Sequence, residues 1–164
     1  MLNRIVLALF LSIGCLIKAQ VKEGAFNLML KNMLQHTVEE INPAQLKMMD
    51  NVILLDCRKK EEFDVSHIEG AIYNGEDLLN KELLLNYPKT TTFVTYCTIG
   101  YRSEKIAEQL KEKGYHRVYN LYGSIAAWVN NEYPVYNLQN QQTDSVHCYN
   151  RAWSVWFSKG KCVY

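Results

Sequence analysis

Thr91-Thr92-Phe93-Val94-Thr95-Tyr96-Cys97-Thr98-Ile99-Gly100-Tyr101-Arg102-Ser103 is the stretch on which the fold turns. Its first six residues are β-branched or aromatic and suit a buried strand. A helical pattern follows, with Ile106, Ala107 and Leu110 on one face and Gly114 as the stop. A thiol therefore stands where a strand ends and a helix is about to begin. In open α/β sheets, ligands bind outside the carboxyl ends of strands. Loop amides and a helix N-terminus converge there and favour anions, which lowers a thiol pKa from its usual value of about 8.5. Gly100 lets the loop curl without a Cβ penalty. Arg102 adds a fixed positive charge at the rim.

Working outward, Asn51–Leu55, Ala71–Tyr73 and Arg117–Leu121 read as further strands. Asn42-Pro43 opens a short helix carrying Leu46 and Met49, with Asn as cap and Pro at the first helical position. Leu78–Leu85 is helical up to Pro88, and Ser124–Asn130 is a final helix with Trp128 in the core. Strands alternating with helices at this spacing predict a small α/β domain with a parallel sheet. Ahead of it, residues 22–36 place Phe26, Met29, Leu30 and Met33 at helical spacing. Residues 20–41 thus form an N-terminal helical extension, 42–137 the α/β domain, and 138–164 a C-terminal tail. The polar, Gln/Asn-rich run 137–144 reads as a linker, and the tail beyond it turns aromatic at Tyr149, Trp153, Trp156 and Phe157.

Of the 164 residues 48% are apolar and 21% charged, a globular balance that excludes disorder by composition. Eighteen Lys and Arg face seventeen Asp and Glu, so there is no basic excess to hold nucleic acid. Arg4, the apolar run Ile5–Ile17, Lys18 and Ala19 form a basic start, a greasy stretch and a small residue. The apolar run is thirteen residues, short of the roughly 18–20 needed to span a bilayer. We read 1–19 as a secretory signal peptide cleaved before Gln20, which predicts a periplasmic or secreted protein with no stable membrane span. A buried N-terminal helix, or lipid attachment at Cys15 after Gly14, are the competing readings. Cleavage removes Arg4 and Lys18 but no acid, so the formal charge passes from +1 to −1. Four cysteines remain in a compartment that permits disulfides. Cys148 and Cys162, fourteen residues apart around the aromatic tail, are expected to pair. Such a loop contributes roughly 3 kcal/mol through lost chain entropy.

Leu54-Leu55-Asp56-Cys57-Arg58, Glu62-Phe63 and His67-Ile68-Glu69-Gly70-Ala71 resemble the N-terminal signature of rhodanese-like domains. Cys97–Ser103 resembles their active-site loop, and Gly123-Ser124-Ile125-Ala126-Ala127-Trp128 their closing segment. The resemblance covers about residues 42–137, with Ser66 and Ser124 standing where glycine is commoner. It implies a five-stranded parallel sheet flanked by helices and a sulfurtransferase that moves a sulfane sulfur through a Cys97 persulfide. The donor is a small anion such as thiosulfate. The acceptor is cyanide or a thiol, with a thioredoxin-like protein among the candidates. Amides from Thr98, Ile99, Gly100, Tyr101, Arg102 and Ser103 would hold the persulfide, and Arg102 the anionic donor. No cofactor or metal is called for.

Supporting roles follow for Asp56, Arg58, Glu62 and His67. Asp56 is expected to cap loop amides, Arg58 to pair with Glu62, and His67 to be a hydrogen-bonded structural residue. Arg58–Asp64 otherwise reads as a solvated surface. Strand alternation turns Cys57 to the face opposite Asp56, as a plain buried thiol. Tyr101 is either a wall of the donor pocket or simply exposed. His36, His116 and His147 read as surface or satisfied residues. Two other functions stay open: a silent rhodanese fold serving as an interaction module, and a cysteine-loop phosphatase or arsenate reductase. The second is disfavoured because phosphatase loops place five residues between Cys and Arg, whereas four separate Cys97 from Arg102.

Overall fold

A computed structural model describes residues 22–164. The expected signal peptide, with Arg4, Cys15 and Ala19, lies outside the described residues. Helix α1 occupies residues 22–33. Strands β1 (Glu39–Ile41), β2 (Val52–Asp56), β3 (Ile72–Tyr73), β4 (Thr92–Tyr96) and β5 (Arg117–Leu121) form one parallel sheet in the order β1-β5-β4-β2-β3. All five residues of β4, the middle strand, are buried, as expected where helices cover both faces. On one face Phe26 and Leu30 of α1 pack with Tyr96, Leu121 and Ile125. On the other, Leu55, Phe93 and Val118 meet Ile106 and Leu110.

The connecting helices are α2 (Pro43–Lys47), α3 (Lys60–Val65), α4 (Lys81–Leu84), α5 (Tyr101–Glu112) and α6 (Ser124–Asn130). Asn42 caps α2, and Gln45 returns a bond to the Asn42 amide, forming a capping box. Helix α4 is shorter than the apolar pattern predicts. Asn80 accepts from the Glu82 and Leu83 amides and starts the helix there, not at Leu78.

The expected helical extension ends in a strand. Residues 39–41 are not part of a helical extension; they pair with β5 as an edge strand, Glu39 opposite Tyr119 and Ile41 opposite Leu121. Three residues reading Glu-Glu-Ile show no period. What places them is Glu104, a fully buried carboxylate on α5 that accepts from the Gln35 and Thr37 amides at 2.9 and 3.1 Å. The polar run 137–144 is likewise more than a linker, since β6 (Val135–Tyr136) pairs antiparallel with β7 (Gln142–Thr143).

The tail folds onto the body. Strands β8 (Ser145–His147) and β9 (Lys161–Val163) run parallel, and a disulfide joins Cys148 to Cys162 with Cα atoms 5.4 Å apart. Trp156 stacks on Phe26 at 5.6 Å. The Asn130 side chain accepts from the Ser158 amide and donates to the Trp156 carbonyl.

Gly123, at φ +70°, begins α6. A Cβ there would lie 2.7 Å from the Ala127 Cβ, whereas one at Gly114, φ +84°, meets nothing within 4 Å. Gly114→Ala should therefore cost only the left-handed strain, about 1–2 kcal/mol, and Gly123→Ala clearly more. Urea midpoints of the two variants measure the difference, and equal losses would remove the steric argument.

Candidate active site

Cys97 follows β4 directly and is 1% exposed. Helix α6 fixes the backbone around it. The Ile125 amide donates to the Cys97 carbonyl at 3.2 Å and the Ala126 amide to the Thr98 carbonyl at 3.1 Å. These are first-turn N–H groups that have no partner within their own helix. The Ser124 hydroxyl accepts from the Cys97 amide at 3.0 Å. Ser124 has φ +50°, which explains why glycine suits the position and what the hydroxyl adds in its place.

The loop then turns through Gly100 at φ +122° into α5, and the Gly100 amide donates to the Cys97 sulfur at 3.2 Å. Asn120 on β5 locks the turn. Its amide nitrogen donates to the Gly100 carbonyl, and its oxygen accepts from the Ser103 hydroxyl. Burial pushes the Cys97 thiol up, but the Arg102 charge and the bonds from Ser103 and Gly100 outweigh it, so the net shift is downward. The lowering eases ionisation of a thiol that is itself buried.

Arg102 departs from expectation. The sequence places it at the rim, ready for an anionic donor, yet its side chain is only 19% exposed and its terminal nitrogens are already occupied. Nη1 contacts Glu62 and Glu76, both at 2.7 Å, and Nη2 contacts Glu62 at 2.9 Å and the Thr98 hydroxyl at 2.8 Å. Glu62 is correspondingly not Arg58's partner. It is buried on α3, accepts from Thr98 as well, and receives the Lys59 amide. Burial raises its pKa, but the Arg102 bonds and charge lower it by more, for a net depression. The stability from this pairing is present above the ordinary carboxylate range and fades as pH falls through the depressed value.

Arg58 is fully buried and pairs with Asp56, Nη2 to Oδ2 at 2.6 Å, also donating to the Ser66 carbonyl. Asp56 caps the Arg58 amide, as expected for a loop cap, and accepts from the Tyr96 hydroxyl at 2.6 Å. The stretch 58–64 is thus not a solvated surface throughout. Every fourth residue, Arg58 and Glu62, turns inward. His67 is buried, bonded to the Phe63 carbonyl and stacked on the Phe63 ring at 4.1 Å.

Among the other loop residues, Ile99 turns its side chain into the core, so only its amide is available to the site. Tyr101 is 45% exposed at the first position of α5. Cys57 follows the Asp56–Tyr96 register pair, donates its amide to the Tyr96 carbonyl, and shares an apolar cluster with Cys97. Burial raises its thiol pKa well above normal, and the Cys97 charge adds to this. Sequence reasoning missed Glu76, Asn120 and Glu104. None lies within a motif, and only the polar character of Asn120 inside a buried strand signalled a partner. His147, read as a surface or satisfied residue, is half-buried and lies where the charges of Glu62, Arg58 and Arg102 reach it.

A lowered thiol at the end of a parallel strand, bonded by the Gly100 amide and under the charge of Arg102, defines a cysteine-loop α/β domain. The family model of the rhodanese-like domain matches residues 42–131, and the chain belongs to that family. A tRNA uridine(34) hydroxylase from Cytophaga hutchinsonii is 34% identical over 98 residues, 56% of this chain and 31% of the relative. The probable adenylyltransferase/sulfurtransferase MoeZ of Mycobacterium tuberculosis is 35% identical over 82 residues, 49% of this chain and 21% of that protein. The chain therefore spans a third or less of these two relatives. Among solved structures, the rhodanese-like domain of the Anabaena Alr3790 protein matches with TM-score 0.57 at 20% identity, over 62% of this chain and 81% of that one. The Bacillus halodurans BH2092 protein matches with TM-score 0.55 at 24% identity, over 70% and 85%. At these identities the two structures speak for the fold.

Alkylation of Cys97 should reach half its maximal rate below the pH of an ordinary thiol. Arg102→Ala should raise that midpoint, since it removes the cation whose charge lowers the Cys97 thiol. Peptide mass mapping of iodoacetamide-treated protein across pH follows both thiols, and Cys57 should stay unmodified while the protein is folded.

Proposed function

We propose that the protein is a sulfurtransferase whose Cys97 carries sulfur as a persulfide. The observation that carries this reading is the Gly100 amide 3.2 Å from the Cys97 sulfur, in a loop held beside Arg102. A buried thiolate with amide donors is a prepared nucleophile, and the same donors suit the anionic outer sulfur of a persulfide. A relative named for sulfurtransfer supports it.

The thiolate attacks the sulfane sulfur of thiosulfate. The new S–S bond forms as the old one breaks, sulfite leaves with the bonding pair, and Cys97 retains one negative charge as the persulfide. Cyanide or a thiolate then attacks the outer sulfur, and the Cys97 thiolate leaves. No proton need move at Cys97 in either step, so His67 can remain a structural residue. Arg102 contributes positive potential, since its donors are already shared with Glu62, Glu76 and Thr98. The loop, one residue shorter than a phosphatase cradle, closes around a single sulfur. The disulfide of the tail supports residence in an oxidising, periplasmic or extracytoplasmic compartment.

Thiosulfate treatment should add about 32 Da, one sulfur atom, to the peptide containing Cys97, and cyanide should remove it as thiocyanate. Cys97→Ser should abolish both while leaving the urea midpoint within about 1 kcal/mol of the parent. Transfer by Cys97→Ser above a few per cent of the parental rate would take the nucleophile role away from this residue.

A further inference from the structure

Residues 145–164 lie beyond the matched family segment, yet they reach the site. Strand β8 packs against α3, the helix that carries Glu62. Immediately after β8, the Tyr149 ring lies over the Arg102 guanidinium with its centroid 5.1 Å away. That is within the range of a cation–π contact. Two features fix Tyr149 there. Its neighbour Cys148 is fully buried and bonded to Cys162. Its own backbone is left-handed at φ +66°, with its amide donating to the His147 ring. A non-glycine residue held at such an angle signals a position that surrounding structure determines.

We propose that the disulfide-closed tail is part of the active site and supplies Tyr149 as a positioning residue for Arg102. The guanidinium is held edge-on by Glu62, Glu76 and Thr98. The aromatic ring covers a face that those partners leave open. Covering that face excludes water from it, which strengthens the field of Arg102 at Cys97. The charged and titratable groups around this pair are Glu62 on α3, Glu76 before α4 with its partner Lys59, Cys97 and Cys57 at the strand ends, Arg58, and His147 on β8. The disulfide thus couples a redox-sensitive bond in the tail to the reactivity of a thiol in the domain. The kinetic consequence rests on the sulfurtransfer reading, whereas the effect on Cys97 itself does not.

The test uses the protein carrying Tyr149→Asn, because asparagine tolerates the left-handed angle, and Tyr149→Phe, which keeps the ring. The pH midpoint of Cys97 alkylation should rise by up to about half a unit in Tyr149→Asn, the size of an exposed cation–π contact. Tyr149→Phe should restore the parental midpoint. Reducing the Cys148–Cys162 bond should shift the parent in the same direction and add nothing in Tyr149→Asn. For thiosulfate, kcat/KM in Tyr149→Asn should fall about threefold below both midpoints and match the parent above them. A merely structural role would lower it at every pH. An unchanged midpoint in Tyr149→Asn, or an equal shift in Tyr149→Phe, overturns the proposal. Absence of a persulfide in the parent would instead sink the sulfurtransfer reading and leave the alkylation result to decide this one.

Discussion

The contact between Arg102 and Glu62 is the constraint on which the site depends. It ties α3 to the first turn of α5, and Thr98 joins both partners so that the loop between them cannot splay. A buried carboxylate without this cation would be costly, as would the cation without its carboxylates. Each makes the other's burial tolerable. The geometry that results leaves a net positive influence at Cys97, because the sulfur takes the Gly100 amide while the carboxylates are drawn to the guanidinium.

A second buried pair, Arg58 with Asp56, stands beside the first and does different work. It fixes the exit of β2 through the Arg58 amide and the Ser66 carbonyl, and it reaches β4 through the Tyr96 hydroxyl. Two arginines and two acids in adjacent segments could have paired either way. The register of β2 with β4 places Asp56 opposite Tyr96 and so commits Asp56 to Arg58. Glu62, one turn further on, is left for Arg102.

The tail shows how a small domain can recruit structure from outside its matched family segment. Val146, Cys148 and Phe157 enter the same core as Tyr96 and Ile125, so the tail is packed and not merely tethered. The disulfide closes the segment between those anchors, and a short closed loop loses little further entropy when it docks. Docking on α1 and α6 secures one end and contact with α3 the other. Tyr149 is carried to Arg102 between them.

The order of strands and helices around Cys97 was legible in the sequence because it rests on local chemistry. β-Branched and aromatic runs made β4, Asn42 and Pro43 began α2, and Gly100 and Gly123 stood where the backbone is left-handed or nearly so. The thiol's place at a strand end followed from those alone. The partners of the charged residues were not legible. Arg58 and Glu62 are close in sequence and were expected to pair, but closeness in sequence decides a partner only when both side chains face solvent. Here they turn inward, and the choice of partner passed to the sheet register and to Arg102, which is forty residues from Glu62 in sequence. Strand β1 was invisible for a related reason. Three residues carry too little pattern to announce a strand, and its pairing is decided by a carboxylate on α5 and an open edge on β5. Local propensity thus determined which elements exist, while the burial of charge, which requires partners from distant segments, decided how the site is assembled.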